Sequence, residues 1–349
     1  MTITTDVLVI GGGQAGLAAG FYLNLAGIDF IIVDGSSRVG DSWRNRYDSL
    51  VLFTPKGYSE LPDMPFPGKR EQLPNKNETA DYLEKYASNY QFPIHLYTRV
   101  ISLSKNDGLF YIMTNKEDYI AHKVIIATGP FHKELIPDFA SKISADVKQI
   151  HSASYINPGQ LSEGDTLVVG AGNSGAQIAV EISNHRKVYL SSGHRPLSLP
   201  LHIGGKSIFY WFDKLGILKA TAHSFIGKKI QSRPDPIFGF ELKQRLKSSA
   251  ITLLPRAIDA KNKNIIFSND SQLEFKNIIW STGFKPDYNW LELPRVLNER
   301  GAIKHQRGIT TESGLYIVGM PWQHRRTSAL IGGVGADAQY VVNEIIQNF

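Results

Sequence analysis

An α/β chain made of two parallel-sheet units, the second inserted in the first, is the expected architecture, and three observations lead to it. Two glycine-rich turns, Gly11-Gly12-Gly13-Gln14-Ala15-Gly16 and Gly170-Ala171-Gly172-Asn173-Ser174-Gly175, both match GxGxxG. Each follows an apolar run, Val7-Leu8-Val9-Ile10 or Thr166-Leu167-Val168-Val169, and opens a small-residue helix. Two later apolar runs end alike, in Ala127-Thr128-Gly129 and Ser281-Thr282-Gly283, one after each turn. In such a turn the first glycine permits the tight strand-to-helix bend. The second lets backbone approach a pyrophosphate, and the third lets helix and strand pack closely. The helix N-terminus adds free N–H groups and a positive dipole end. Two turns 159 residues apart point to two Rossmann-like dinucleotide-binding domains occupied at once, and so to electron transfer between a flavin and a nicotinamide.

Residues 5–34 read as strand, turn, helix, strand. The helix carries Leu17, Ala18, Phe21, Tyr22 and Leu25 at helical spacing and stops at Gly27. The next strand, Phe30-Ile31-Ile32-Val33, ends in Asp34, 23 residues past Gly11. A carboxylate there accepts both hydroxyls of an adenosine ribose. The candidate residues of this first site are Gly11, Gly13, Gln14, Ala15, Gly16 and Asp34.

A second such unit spans about 165–190 and closes with Lys187-Val188-Tyr189-Leu190. The position equivalent to Asp34 is Gly193, flanked by Ser191, Ser192, His194 and Arg195. A carboxylate repels a 2′-phosphate, whereas hydroxyls, an imidazole and a guanidinium bind it. The first site therefore suits FAD and the second suits NADPH over NADH. Candidates here are Gly170, Gly172, Asn173, Ser174, Gly175, Ser192, His194 and Arg195; the other reading of His194 and Arg195 is a solvated loop.

In flavoproteins with two dinucleotide folds, runs like Val124-Ile125-Ile126 and Ile278-Ile279-Trp280 end where the chain crosses between units, and this likeness implies that place for Thr128, Gly129, Thr282 and Gly283. This divides the chain into an FAD-binding domain, 1–157 and 284–349, and an inserted NADPH-binding domain, 158–283. The chain finishes with a strand in Gly314-Leu315-Tyr316-Ile317-Val318-Gly319, then Gly332-Gly333-Val334-Gly335 ahead of a last helix, Ala338 to Gln347. With Gly333 at its start, that helix could aim its N-terminus at the flavin N1–C2 edge and stabilise the anionic reduced ring. The other reading is a glycine loop before a packing helix.

The bulk properties narrow the function classes. The chain is 42% hydrophobic and 20% charged, ordinary for a globular protein of two domains. Its net charge of +6 fits anionic cofactors and a solvated surface, and no basic–aromatic motif signals nucleic acid. The 349 residues include no cysteine. That excludes a redox dithiol, an iron–sulfur cluster, a thiolate zinc site, a cysteinyl flavin and a disulfide framework, and no metal site is expected. The first strand begins within the opening residues and no apolar run reaches transmembrane length, so a cytoplasmic protein without an integral membrane segment is expected. A homodimer is the common state for such chains.

Further residues carry a resemblance over nearly the whole length. Arg38-Val39-Gly40-Asp41-Ser42-Trp43-Arg44, then Tyr47-Asp48-Ser49-Leu50, Phe53-Thr54-Pro55 and Tyr58-Ser59-Glu60-Leu61-Pro62, resemble the flavin-contacting stretch of the class B flavoprotein monooxygenases. This group holds the flavin-containing, N-hydroxylating and Baeyer–Villiger monooxygenases, and the chain is most similar to its short bacterial and plant auxin-pathway members. The group's FxGxxxHxxxY fingerprint is half present: His151-Ser152-Ala153-Ser154-Tyr155 matches, whereas Ala145 and Val147 replace the Phe and Gly. Tyr155 at the last position favours the N/S-oxygenating subgroup, and His151 reads as a conformational residue.

The resemblance implies FAD and NADPH as cofactors, with Gly40, Ser42, Trp43 and Arg44 near the flavin. It also implies N- or S-oxygenation of a small soft nucleophile by O2 through a C4a-(hydro)peroxyflavin. Thr54 is the polar residue placed nearest the flavin's reactive edge, the candidate catalytic neighbour. Residues near 43–62, 200–240 and 320–332, among them Trp322, His324 and Arg325, are expected to build the substrate pocket or to pack. The excursion from Gly204 to Lys214, with the basic residues after it, could cover the active site, meet a partner subunit, touch a membrane surface or simply pack. The competing function is an NADPH-dependent flavin reductase or oxidase passing electrons to a quinone, a carrier or O2. A redox-sensing binding protein is the third reading.

Overall fold

The computed structural model describes residues 2–348. Its larger sheet has nine strands, with a parallel core in the order Ile94–His95, Phe30–Val33, Thr2–Ile10, Asp118–Ile126, Leu315–Ile317. Val7-Leu8-Val9-Ile10 and Val124-Ile125-Ile126 lie side by side and are buried throughout. Such unbroken apolar runs mark a parallel sheet covered on both faces. Val7, Val9 and Ile125 pack under the helices Gln14–Leu25, Lys76–Asn89 and Ile331–Gln347. Leu8, Ile10, Val124 and Ile126 pack on the other face against the hairpin Val100–Asn106/Leu109–Thr114 and Tyr288.

The first helix stops as its sequence requires: Gly27 takes φ +67°, a left-handed conformation that favours glycine. The apolar stripe read along it is shorter than expected. Leu17 and Ala18 are buried and Phe21 and Tyr22 partly so, but Leu25 is 74% exposed. Leu23, in the same last turn, is fully buried, so the helix end still packs on the core and Leu25 lies on its outer face.

The second sheet has five strands, all parallel: Ile251–Leu254, Val188–Ser191, Thr166–Val169, Asn277–Trp280, Lys148–His151. The helices Asn173–Ile182 and Glu241–Lys247 cover one face. A three-stranded antiparallel layer, Ala257–Lys261, Asn264–Phe267 and Gln272–Glu274, lies on the other through Ala257, Ile265 and Phe267. The edge strand Lys148–His151 precedes residue 158, so the second sheet begins earlier in the chain than the expected division. The two crossings between sheets pair with each other, Lys133–Glu134 antiparallel to Phe284–Lys285.

The last helix also begins earlier than expected, at Ile331 rather than Ala338. Its glycines are therefore helical, and close approach explains them. A Cβ on Gly332 would stand 2.2 Å from Tyr58 O, one on Gly333 2.1 Å from Thr327 O, and one on Gly335 2.7 Å from Pro62 Cγ. The helix start is pressed onto the Thr54–Pro62 segment.

Candidate functional site: two facing glycine turns

Gly11 has φ +108°, and a Cβ there would strike Ala127 O at 2.7 Å; a Cβ on Gly16 would fall 1.8 Å from Gly11 O. These two glycines are required by packing. Gly13 differs: a Cβ there would meet no protein atom within 4 Å, and it caps the N-terminus of Gln14–Leu25 without a side-chain partner for the helix N–H groups. That is the geometry by which backbone N–H groups receive a pyrophosphate. Asp34 stands beside the turn, its Oδ2 accepting from Gly12 N–H at 2.6 Å and its Oδ1 from Ser36 N–H at 2.7 Å. Both oxygens are fixed, and each keeps a lone pair for a ribose hydroxyl.

The second turn repeats this. Gly170 has φ +103° and a Cβ there would strike Ser281 O at 2.3 Å; a Cβ on Gly175 would sit 2.0 Å from Gly170 O, whereas one on Gly172 meets nothing within 4 Å. Asn173 ties the helix start to the excursion's return, donating to Pro236 O at 3.2 Å and accepting from Phe238 N–H at 3.1 Å. Ser174 lies within hydrogen-bond reach of Tyr47, whose hydroxyl also donates to Gln177 Oε1 at 3.0 Å. Burial raises the Tyr47 pKa, so its hydroxyl stays protonated.

At the acid-free position, Ser192 donates to His194 O at 2.7 Å and His194 Nδ1 lies 3.3 Å from Arg195 O. Both side chains are turned inward on their own loop. The Arg195 guanidinium is exposed and has no partner among the described residues. A second guanidinium joins it that sequence reasoning missed: Arg256 Nε lies 3.4 Å from where a Gly193 Cβ would stand. Ser191 holds it there, donating to Pro255 O at 2.8 Å and accepting from Ala257 N–H at 2.9 Å. Arg256 follows a strand parallel to Val188–Ser191 but is far from it in sequence. Knowing that strand order was the missing signal.

The stretch around 40–60 divides. Gly40 has φ +90° and would strike Ala80 O at 2.6 Å with a Cβ, so its backbone conformation and its packing on the helix Lys76–Asn89 both demand glycine. Ser42 is exposed. Arg44 is committed elsewhere: it donates to Val39 O at 2.6 Å and to Asp81 and Glu84 at 2.9 Å. Trp43 is the member that reaches the first turn, its indole N–H donating to Gln14 Oε1 at 3.4 Å. Thr54 is buried and accepts from Ser59 Oγ at 2.8 Å. The packing of Gly332 on Tyr58 and Ser59, and of Gly335 on Pro62, brings the segment that follows Thr54 under the last helix, and a Cβ on Gly319 would stand 2.6 Å from Ala15 Cβ. The first turn, Gly319, the last helix and Thr54 therefore share one rim.

The crossing residues sit where the sheets meet. Gly129 and Gly283 both have positive φ and room around Cα. Thr128 Oγ1 lies 3.1 Å from His132 Nε2, and Thr282 Oγ1 donates to Leu135 O. His151 is buried, with Nε2 3.1 Å from Gly283 O and Nδ1 accepting from Ala153 N–H at 3.1 Å. This fixes a neutral ring protonated on Nε2. Burial lowers its pKa, against the opposing pull of Glu134 3.6 Å away. Tyr155 is fully buried and donates to Glu181 Oε2 at 2.8 Å. Of the departures from the fingerprint, Ala145 is exposed and Val147 lies in the second unit's core with Leu167 and Ile278. Trp322 takes φ +57°, and His324 O accepts from Ala222 N–H at 2.7 Å, so this loop packs under the excursion.

Two such units, joined through paired crossings, define an oxidoreductase that uses a flavin and a nicotinamide. The chain belongs to the pyridine nucleotide-disulphide oxidoreductase family, whose description matches residues 8–198. It is 54% identical, over 98% of its length and 99% of the other's, to an uncharacterized oxidoreductase CzcO-like of Geobacillus kaustophilus. It is 27% identical over 97% of its length, and 86% of the other's, to the probable indole-3-pyruvate monooxygenase YUCCA3 of Arabidopsis thaliana. Its fold is that of the flavin-containing monooxygenase from Stenotrophomonas maltophilia, with TM-score 0.84 at 24% identity over 99% of both chains. These similarities bear out the class B flavoprotein monooxygenase resemblance and the two-Rossmann architecture. No helix among the described residues is long and apolar enough to cross a membrane.

Proposed function

We propose that the chain binds FAD at the Gly11–Gly16 turn and NADPH at the Gly170–Gly175 turn, and acts as a monooxygenase on a small soft nucleophile, an amine or a thioether. On this reading the inserted unit, bounded by the two crossings, is the NADPH-binding domain. The carrying observation is the pair of turns, each with one glycine open to a ligand, in a chain without cysteine. A family member with no thiol cannot pass electrons to a disulfide of its own, so an acceptor outside the chain must take them. Similarity to enzymes named monooxygenases supports O2 as that acceptor.

The residues fit both groups. Gly13 and Asp34 would hold the pyrophosphate and adenosine ribose of FAD, and Gly172, Arg195 and Arg256 the pyrophosphate and 2′-phosphate of NADPH. Once bound, the nicotinamide supplies hydride and the flavin supplies the site where O2 is activated. The protein's own part is to orient and to exclude water. Trp43 and Gln14 brace the first turn. The Ser59 hydroxyl, 2.8 Å from Thr54 Oγ1 and 3.2 Å from Thr54 O, braces Thr54 at the rim. The last helix turns its N-terminus toward the same rim.

The test is anaerobic reduction by NADPH, then mixing with oxygenated buffer with and without a panel of amines and thioethers. Oxygen consumed in excess of hydrogen peroxide released, with an oxygenated product, is the expected outcome. Quantitative return of oxygen as peroxide under all conditions would replace this reading with an oxidase or reductase.

A further inference from the structure

The positive charge of this chain is concentrated. Between Leu201 and Pro234, about a tenth of the length, six basic residues (Lys206, Lys214, Lys219, Lys228, Lys229 and Arg233) face one acid, Asp213, and so carry five of the six units of net charge. None of the six forms an ion pair among the described residues. Asp213 is half-buried with its charge felt at Tyr58, and the next acid, Asp235, is bound by Arg326 at 2.8 Å.

The same segment has two faces. Inward, Ile208 and Phe209 are buried with Phe238 against Phe53 and Tyr58, Phe53 and Phe238 being stacked at 4.8 Å. Outward, Phe225 is 82% and Leu215 69% exposed, and Ile203, Trp211 and Ile226 are exposed beside them in sequence. Exposed large apolar residues interleaved with lysines that form no ion pair, two of them lying over the Tyr210 ring, are the composition of an interfacial surface. The rings and aliphatic chains enter the acyl boundary, while lysine stems keep their ammonium groups among anionic headgroups.

We infer that the outer face of the 201–234 excursion docks on an anionic lipid surface, which places the Phe53–Thr54 side of the candidate site next to the bilayer. A second copy of the chain is disfavoured as the occupant, because an isologous contact would set six cations against six cations. Docking would deepen the function proposed above by making the substrate an apolar molecule drawn from the membrane. The docking itself is measured without turnover, so either idea can fail alone.

The experiment is co-sedimentation of the flavin-loaded protein with phosphatidylcholine vesicles, and with vesicles that also contain phosphatidylglycerol. We expect binding only to the anionic vesicles, weakening as salt is raised. Lys228→Glu with Lys229→Glu should lower partitioning at least about tenfold. Phe225→Ser should lower it about tenfold. Both should keep wild-type flavin content and melting temperature, since all three side chains are exposed. Equal binding to both vesicle types, or none to either, overturns the inference. So does a change of oligomeric state in Phe225→Ser, which would assign the face to a second copy.

Discussion

Tyr155 donates its hydroxyl proton to Glu181 Oε2 at 2.8 Å, joining the segment after the edge strand Lys148–His151 to the helix that starts at the second glycine turn. Tyr155 is fully buried and its pKa is raised, first by burial and then by this bond. The proton therefore stays on the tyrosine through the physiological range. Tyr155→Phe should cost about 1–2 kcal/mol of stability, read as a lower urea midpoint with an unchanged slope. Flavin content should be unaffected, because the bond touches only the second unit. Loss of flavin would mean that Tyr155 acts on the first turn.

The two glycine environments make opposite predictions. Gly13→Ala places a methyl group where no protein atom lies within 4 Å, whereas Gly16→Ala drives one to 1.8 Å from Gly11 O. Gly13→Ala should fold with wild-type circular dichroism and lose FAD. Gly16→Ala should destabilise the apoprotein itself, by several kcal/mol. A yellow Gly13→Ala protein would remove the first turn from pyrophosphate binding.

Arg195 and Arg256 should act as a pair. Either substitution to Ala is expected to raise KM for NADPH roughly tenfold while leaving KM for NADH nearly unchanged. Binding of adenosine 2′,5′-bisphosphate, followed by calorimetry, should weaken in step while AMP binding does not. Ser191→Ala should give a smaller form of the Arg256 effect, since Ser191 only positions the Pro255–Ala257 turn. Parallel effects on both nucleotides would assign Arg256 to the surface.

His151 gives the pH prediction. Its folded pKa is depressed below the ordinary 6.5, chiefly by burial. Below that value the unfolded chain binds the proton more readily than the folded one. Stability is therefore full above about 6.5 and declines as pH falls toward the folded pKa. His132, His305 and His324 are shifted the same way by burial, so His151→Gln should flatten the acid limb only in part. Thermal melts from pH 7.5 to pH 5 read this directly; an unchanged acid limb would show that His151 is not a contributor.

Much of the fold was legible because both glycine turns carry steric demands that local sequence reports. The runs ending at Ile10, Val33, Val169 and Leu190 all became buried parallel strands, since an unbroken apolar run has one stable setting in a covered sheet. Less legible was anything decided between distant segments. Lys148–His151 has an exposed start and carries no turn signal, and only pairing with Asn277–Trp280 makes it part of the second sheet. Gly40, Gly332 and Gly335 looked like cofactor or loop glycines but answer to Ala80, Tyr58 and Pro62. Arg44 resembled a flavin neighbour, yet Asp81 and Glu84, on the helix Lys76–Asn89, take its guanidinium. Arg256 was invisible for the converse reason, since its partner position, Gly193, is silent.

The pairing of Leu315–Ile317 with Val124–Ile126, with the last helix packed on the first, bears on synthesis at the ribosome. The inserted unit has all its strands by Trp280 and can form its sheet while the chain is still emerging. The first unit must wait, its opening helix uncovered, until the closing helix appears. Non-local pairing of this kind is slow and leaves apolar surface open to aggregation meanwhile. The nascent chain is thus most vulnerable late in translation, and any delay there should show as loss of soluble protein before it shows as loss of activity.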